Sequence, residues 1–306
     1  MKHISDNYYI GIVMNIKRYW VSYLFMSPWV AYFLVFMLYP FFLSLENSFL
    51  DINILNPENT EFVGIGNWVN AISDYKFWKS IFNVFFNQAI FISLSFVIAL
   101  GAALMLNEVT VLSGLFRTVL FIPVVTSVTV AMLIFDFMAG PNGPIQSTML
   151  EIQMLDSPVF WKFEKWLPMP VIAVFSAWKW FGVQMIIFLG GIASINKSLL
   201  EAADIDGATW SRKITKIILP LIKPQIIFVL TINVINGLQM FTEVFMNFDL
   251  QGGPHNSALT PVLHLYQIGF EQMKMGEAST VGLLLAIVIF ILTMIQLKIT
   301  NGSNKE

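Results

Sequence analysis

Three observations predict an all-α integral membrane protein: six long apolar runs, a charged-residue content of only 12%, and no alternating strand pattern competing with them. Soluble domains carry about 25% charged residues, whereas 57% of this 306-residue chain is hydrophobic. The formal net charge of -2 gives no basic face for nucleic acid. With no cysteine in the chain, disulfides, iron–sulfur clusters and thiol nucleophiles are excluded.

A helix needs about 20 apolar residues to cross the hydrocarbon core. Residues 21–45 and 81–106 hold no charged side chain, and the first run is too long for the core of a cleavable signal peptide. Residues 118–135 are uncharged, with Asp136 just beyond them. Residues 167–196 are apolar except for Lys179, residues 224–242 stop before Glu243, and residues 278–297 form the last run. The count is six transmembrane helices in a single domain, 1–306, with no linker, low-complexity segment or internal repeat.

Basic residues in the connections set the orientation. With the N-terminus inside, the inner segments hold Lys2, Lys17, Arg18, Arg117, Lys197, Arg212, Lys213, Lys216, Lys223, Lys298 and Lys305. The outer segments hold only Lys76, Lys79, Lys162, Lys165 and Lys274. That asymmetry places both termini in the cytoplasm. Of the outer connections, residues 46–80 read as turns followed by a short helix. Residues 140–168 carry Phe160, Trp161, Phe163 and Trp166, a composition suited to an interfacial helix. Residues 249–256, DLQGGPHN, form a Gly/Pro loop.

Between the fourth and fifth runs lies EAADIDGATWSRKITKIILPLIKP, beginning at Glu201. Ser198 and Glu201 have the spacing of a capping box, so a helix is expected to open there. Asp206-Gly207 signals a turn, and small Ala202 and Ala203 permit close approach of another surface. A second helix runs to Leu219, with Trp210, Ile214, Ile217 and Ile218 on one face, before Pro220 and Pro224 interrupt it. Spacing alone also fits a surface loop with snorkelling lysines. A DNA-binding helix-turn-helix does not fit, because flanking spans pin the unit to the bilayer.

This segment resembles the signature loop of binding-protein-dependent ABC importer permeases, and its E-A-A-x-I-D-G-A continuation resembles the carbohydrate branch. YLFMSPWVAYFLVFMLYPFFLSLENSF, FVGIGNWVNAI, GLFRTVLFIPVV and Gly252-Gly253-Pro254 extend the likeness over nearly the whole chain, in the pattern of the first permease of a heterodimeric pair. Asn196 stands where the family often has proline. The resemblance implies a type I ABC importer permease fold in a prokaryotic plasma membrane. It also implies that residues 198–220 are a cytoplasmic coupling loop seated in an ATPase cleft through Glu201, Ala202, Ala203, Asp206 and Gly207. The partners it implies are a second, related permease, two ATPase subunits, an extracytoplasmic solute-binding protein and a carbohydrate substrate.

The chain has no motor of its own. A phosphate-cradling Walker A loop needs a Gly-Lys pair, and none occurs. No cofactor is expected in this chain, with ATP and magnesium held by the partner ATPase. No metal site is expected either: none of His3, His255 and His264 lies in a span, and no H-E-x-x-H motif exists. The chain is therefore not expected to be an enzyme.

For a substrate path, Asn233, Asn236, Gln239, Met240 and Glu243 fall within about 120° of one helical face. Amides present both donors and acceptors to sugar hydroxyls, and they also serve to bond neighbouring helices together. Lys179 lies near mid-span, where a charge costs about 2.5–3.5 kcal/mol and needs a partner or water. Trp180 beside it offers either an indole face for a sugar ring or packing. An ion-coupled secondary transporter is the alternative from another energy class, and it would carry paired mid-span carboxylates. An ABC importer for another small polar solute is the nearer alternative.

Overall fold

The computed structural model describes residues 19–108 and 112–302. Both termini, with Lys2, His3, Lys17, Arg18 and Lys305, lie outside the described residues. Six helical segments are long and apolar enough to cross a membrane: Tyr19–Asn47, Tyr75–Glu108, Val128–Glu151, Pro168–Ala193, Lys223–Gln251 and Met275–Thr300. The first is α1. A hairpin of β1 (Leu50–Asp51) and β2 (Glu61–Phe62) follows, then α2 (Gly66–Ser73) and the long α3 (Tyr75–Glu108). This small antiparallel pair is an addition to the expected all-helical chain.

Asn67 explains the hairpin's position, because its amide donates to the carbonyls of Ser48 (3.1 Å) and Leu50 (3.0 Å). The hairpin packs on the start of the last helix, α13 (Met275–Gly302). There a Cβ on Gly276 would lie 1.9 Å from the Leu50 carbonyl oxygen, so only glycine fits.

Two expected helices are broken. The run over 118–135 divides into α4 (Ser113–Val125) and α5 (Val128–Ala139), with Thr126 and Ser127 extended between them. Pro123, which lacks an N–H to continue the ladder, sits just before the break. The fifth run divides into α10 (Lys223–Leu238) and α11 (Thr242–Phe248), with the backbone leaving the helix from Gln239 to Phe241. Such breaks are tolerated at membrane depth where protein or a wet cavity satisfies the freed groups.

After α5 comes α6 (Pro144–Glu151), and residues 152–167 then run as turns. The expected interfacial helix around Phe160–Trp166 does not form. Instead Trp161 is buried edge-on against Phe248, with ring centroids 6.1 Å apart. The fourth span is α7 (Pro168–Ala193), followed by α8 (Lys197–Ile205) and a helical stretch over residues 210–221, here α9. A short helix, α12 (Pro261–Tyr266), precedes α13.

α3 and α7 pack along one another as the central pair, with α10 and α4 against them. At the end near α8 and α9, Leu100 and Leu104 of α3 meet Met185, Phe188 and Ile192 of α7, together with Ile218 and Ile222. Toward the other end, Phe77 and Val84 of α3 meet Val281 and Leu285 of α13. A third cluster joins Met132, Ile172, Phe175 and Val244 to Leu259 and Leu263.

Candidate functional site: a polar cavity and an exposed loop helix

Within α7, Ser176, Trp180, Val183, Gln184 and Ile187 repeat at helical spacing and present one face to a cavity of about 520 Å³. α10 supplies Val229, Ile232, Asn233, Asn236 and Gly237 to the opposite wall, and the break and α11 supply Gln239, Met240, Phe241, Thr242 and Glu243. Gln88 and Phe91 of α3 and Val128 at the start of α5 complete the lining. The helix break re-aims the backbone after Leu238, yet Gln239 and Glu243 still reach the same cavity as Asn233 and Asn236.

Several polar atoms at this wall lack partners among the described residues. Gln184 Nε2 donates to Ser95 Oγ (3.2 Å) and weakly to Asn233 Oδ1 (3.5 Å). Gln184 Oε1, Asn233 Nδ2, Ser176 Oγ and Gln88 Oε1 are buried with no hydrogen-bond partner. A buried unpaired polar group costs about 1–3 kcal/mol, so this wall suits a hydroxylated solute or water. Two other amides of α3 behave differently. Asn83 donates to the carbonyls of Asn256 (2.7 Å) and Leu259 (3.0 Å), and Asn87 donates to Met169 (2.9 Å), so these two bond the bundle together.

Lys179 does not line the cavity. It is fully buried, and its ammonium donates to the carbonyls of Pro123 (2.7 Å), Val124 (3.1 Å) and Thr126 (2.7 Å) at the broken end of α4. Thr126 Oγ1 takes the Ile122 carbonyl as well, at 3.0 Å. The last carbonyls of a helix have no intrahelical partner, and a cation there also faces the negative end of the helix dipole. The Lys179 ammonium sits 4.6 Å from the Trp180 ring centroid, so the lysine backs the indole that forms the cavity wall. Asp136, whose position near a span end left its role open, pairs with Lys162 at 2.7 Å.

Away from the cavity, α8 is capped by Asn196, whose side chain accepts from the Ser198 N–H at 3.1 Å. The cap is therefore two residues before the expected Ser198. Asn196 holds φ −63°, a value that proline also adopts, so the chain enters the helix as it would from a proline. At the other end Gly207 takes φ +72°, and the N–H groups of Gly207 and Ala208 bond back to the carbonyls of Asp204 (3.0 Å) and Ala203 (2.9 Å). This is a glycine C-cap that stops the helix sharply.

Lys213 bridges to Asp204 at 2.7 Å and ties α9 to α8. Glu201, Ala202 and Asp206 are exposed, as are Leu199 (46%), Ile205 (88%) and Trp210 (58%), while Ala203 faces inward. Trp210 thus leaves the inward face that Ile214, Ile217 and Ile218 share.

Residues 95–301 match the family described as binding-protein-dependent transport system inner membrane component. The matched stretch contains the whole loop and every cavity residue except Gln88 and Phe91. The chain belongs to this family. The permease is a multi-pass inner-membrane protein and a transport component rather than an enzyme. It is similar to the arabinooligosaccharides transport system permease protein AraP of Halalkalibacterium halodurans, with 34% identity over 93% of this chain and 89% of the relative. It is likewise similar to the lactose transport system permease protein LacF of Rhizobium radiobacter, with 32% identity over 92% of this chain and 95% of the relative.

Its fold matches that of a bacterial ABC transporter involved in the import of the acidic polysaccharide alginate. The TM-score is 0.81 at 23% identity, over 95% of this chain and 98% of that chain. Gln88 and Thr242 of the permease were not singled out from sequence. For Gln88 the signal was present, as an amide inside an otherwise apolar span.

Proposed function

We propose that this permease passes a small oligosaccharide through the cavity between α3, α7 and α10, as one half of a heterodimeric importer driven by two ATPase subunits. The observation that carries this reading is the cavity wall. An indole face, five amides, two hydroxyls and a carboxyl group surround about 520 Å³, a volume in the range of small-molecule sites (roughly 300–1,000 Å³). Asn233, Asn236, Gln239 and Gln184 match the paired donors and acceptors of a sugar, and Trp180 matches its apolar ring face. The names of the relatives, which refer to arabinooligosaccharides and lactose, support a carbohydrate.

The motor contact is α8. Its exposed Glu201, Ala202 and Asp206, with the sharp exit at Gly207, give a short rigid helix that an ATPase cleft can grip. ATP and magnesium bind the partner, and a solute-binding protein delivers the sugar to the face opposite α8. Closure of the ATPase pair then moves α8, and the cavity opens alternately to either side. The test is uptake by proteoliposomes holding the complete complex and its binding protein, with labelled arabinotriose and lactose as probes. ATP-dependent uptake is expected, and Asn236→Ala is expected to raise the half-saturating concentration about tenfold through one or two lost hydrogen bonds. ATP-dependent uptake of an amino acid or phosphate with none of either sugar would overturn the carbohydrate reading.

A further inference from the structure

The cavity wall differs from its surroundings in one respect: among the described residues, Glu243 is its only ionisable side chain. Its remaining polar groups are amides, hydroxyls and the Trp180 indole. The cation nearest in sequence to that indole, Lys179, has spent all three ammonium protons on the carbonyls of Pro123, Val124 and Thr126 and is fully buried. Lys162, Lys213 and Lys274 are engaged by Asp136, Asp204 and Glu277, and none of them lines this cavity. An anionic solute would therefore leave water with no ammonium or guanidinium among the described lining residues to pair with, and its one ionisable neighbour on the wall would be a carboxyl group.

We propose that Glu243 is a specificity-determining residue that makes this cavity select uncharged glycans over glycans bearing a carboxylate, phosphate or sulfate. The inference rests on the carbohydrate reading of the same cavity. Three features support it. Glu243 stands in the first turn of α11, directly after the break that brings Gln239 and Met240 to the wall, so its position is fixed by the backbone. The Trp180 indole lines the same cavity, so the carboxyl group and the ring face offered to a sugar look onto one space. A carboxyl group also accepts hydrogen bonds from glycan hydroxyls, so the residue that excludes anions contributes to holding neutral sugars. Discrimination of this kind acts by repelling the wrong ligand as well as by attracting the right one.

The test is equilibrium dialysis of the purified permease–ATPase complex without the binding protein, so that only the membrane site is sampled. The probes are labelled lactose, arabinotriose and maltotriose, each beside its reducing-end aldonate, which keeps the size and adds a carboxylate. The native complex is expected to retain at least one neutral sugar and to retain its aldonate at least tenfold less. Glu243→Gln is expected to narrow the ratio of sugar to aldonate retention severalfold, whatever it does to neutral binding alone, and Glu243→Lys to reverse that ratio. Co-purification of the ATPase confirms that each variant is folded. Equal retention of sugar and aldonate by the native complex, or a gap unchanged in both variants, overturns the role of Glu243 while leaving a sugar site in place. Retention of no sugar in either form overturns the carbohydrate reading and this inference together.

Discussion

An ammonium has three protons to donate, and Lys179 gives all of them to the end of one broken helix. Removing it leaves three part-buried carbonyls unpaired, each worth about 1–3 kcal/mol if water does not reach it. Lys179→Met is therefore expected to destabilise the permease by about 3 kcal/mol or more, read as a lower midpoint of thermal unfolding in detergent. A midpoint equal to that of the native protein would contradict the clamp. Gly207 is a separate case, because its φ of +72° costs an ordinary residue about 1–2 kcal/mol and nothing packs against it. Gly207→Ala is expected to leave the bundle folded and to lower sugar-stimulated ATP hydrolysis by the complex. Wild-type stimulation would show that this turn is not a coupling element. The sequence showed that Lys179 was too deep to be idle, but not its partner. That partner is a set of backbone carbonyls exposed where Thr126 and Ser127 run extended, and Pro123 was the one residue nearby that could have signalled the break.

Single helices carry the link from loop to cavity. Ile218 and Ile222, at the exit of the loop, share a core cluster with Met185 and Phe188 of α7 and Val229 of α10, and Val229 also lines the cavity. Leu200 of α8 packs against the same cluster. A displacement of α8 therefore reaches the cavity through close-packed side chains, which transmit strain rather than absorb it. Ile222→Ala, at a fully buried site, is expected to cost about 2–5 kcal/mol and to weaken the coupling of ATP hydrolysis to sugar. Hydrolysis rates with and without sugar, measured on the same preparation, separate the two effects. Gly276→Ala would drive a methyl group into the Leu50 carbonyl and is expected to loosen the hairpin from α13, detectable as faster proteolysis between residues 50 and 62.

The six spans were legible because apolar length is a strong signal. The breaks in the third and fifth spans were not, because lysine and cavity contacts stabilise them and those contacts are tertiary. The stripe from Asn233 to Glu243 was found on the assumption of a continuous helix. It survived because the short break leaves both halves facing the same space.

At the scale of the whole molecule, the bundle is incomplete by itself. No residue in the apolar window of α1 is buried, and Trp29, Phe25 and Phe36 are exposed on it. α4 is bare on its outer face, with Leu115, Phe116, Val119 and Ile122 exposed. Such faces suit lipid and the second permease of the heterodimer proposed above. The loop's apolar residues Leu199 and Ile205 are exposed among the described residues, which suits the ATPase contact proposed above. The most direct test of the account is the composition of the complex purified from detergent after co-expression with the partner permease and ATPase. Two ATPase chains per permease pair are expected with the native loop, and none with the Glu201→Lys, Gly207→Pro double variant, although the two permeases stay together. Equal ATPase content in both preparations, or none in either, would contradict the assignment of α8 as the motor contact.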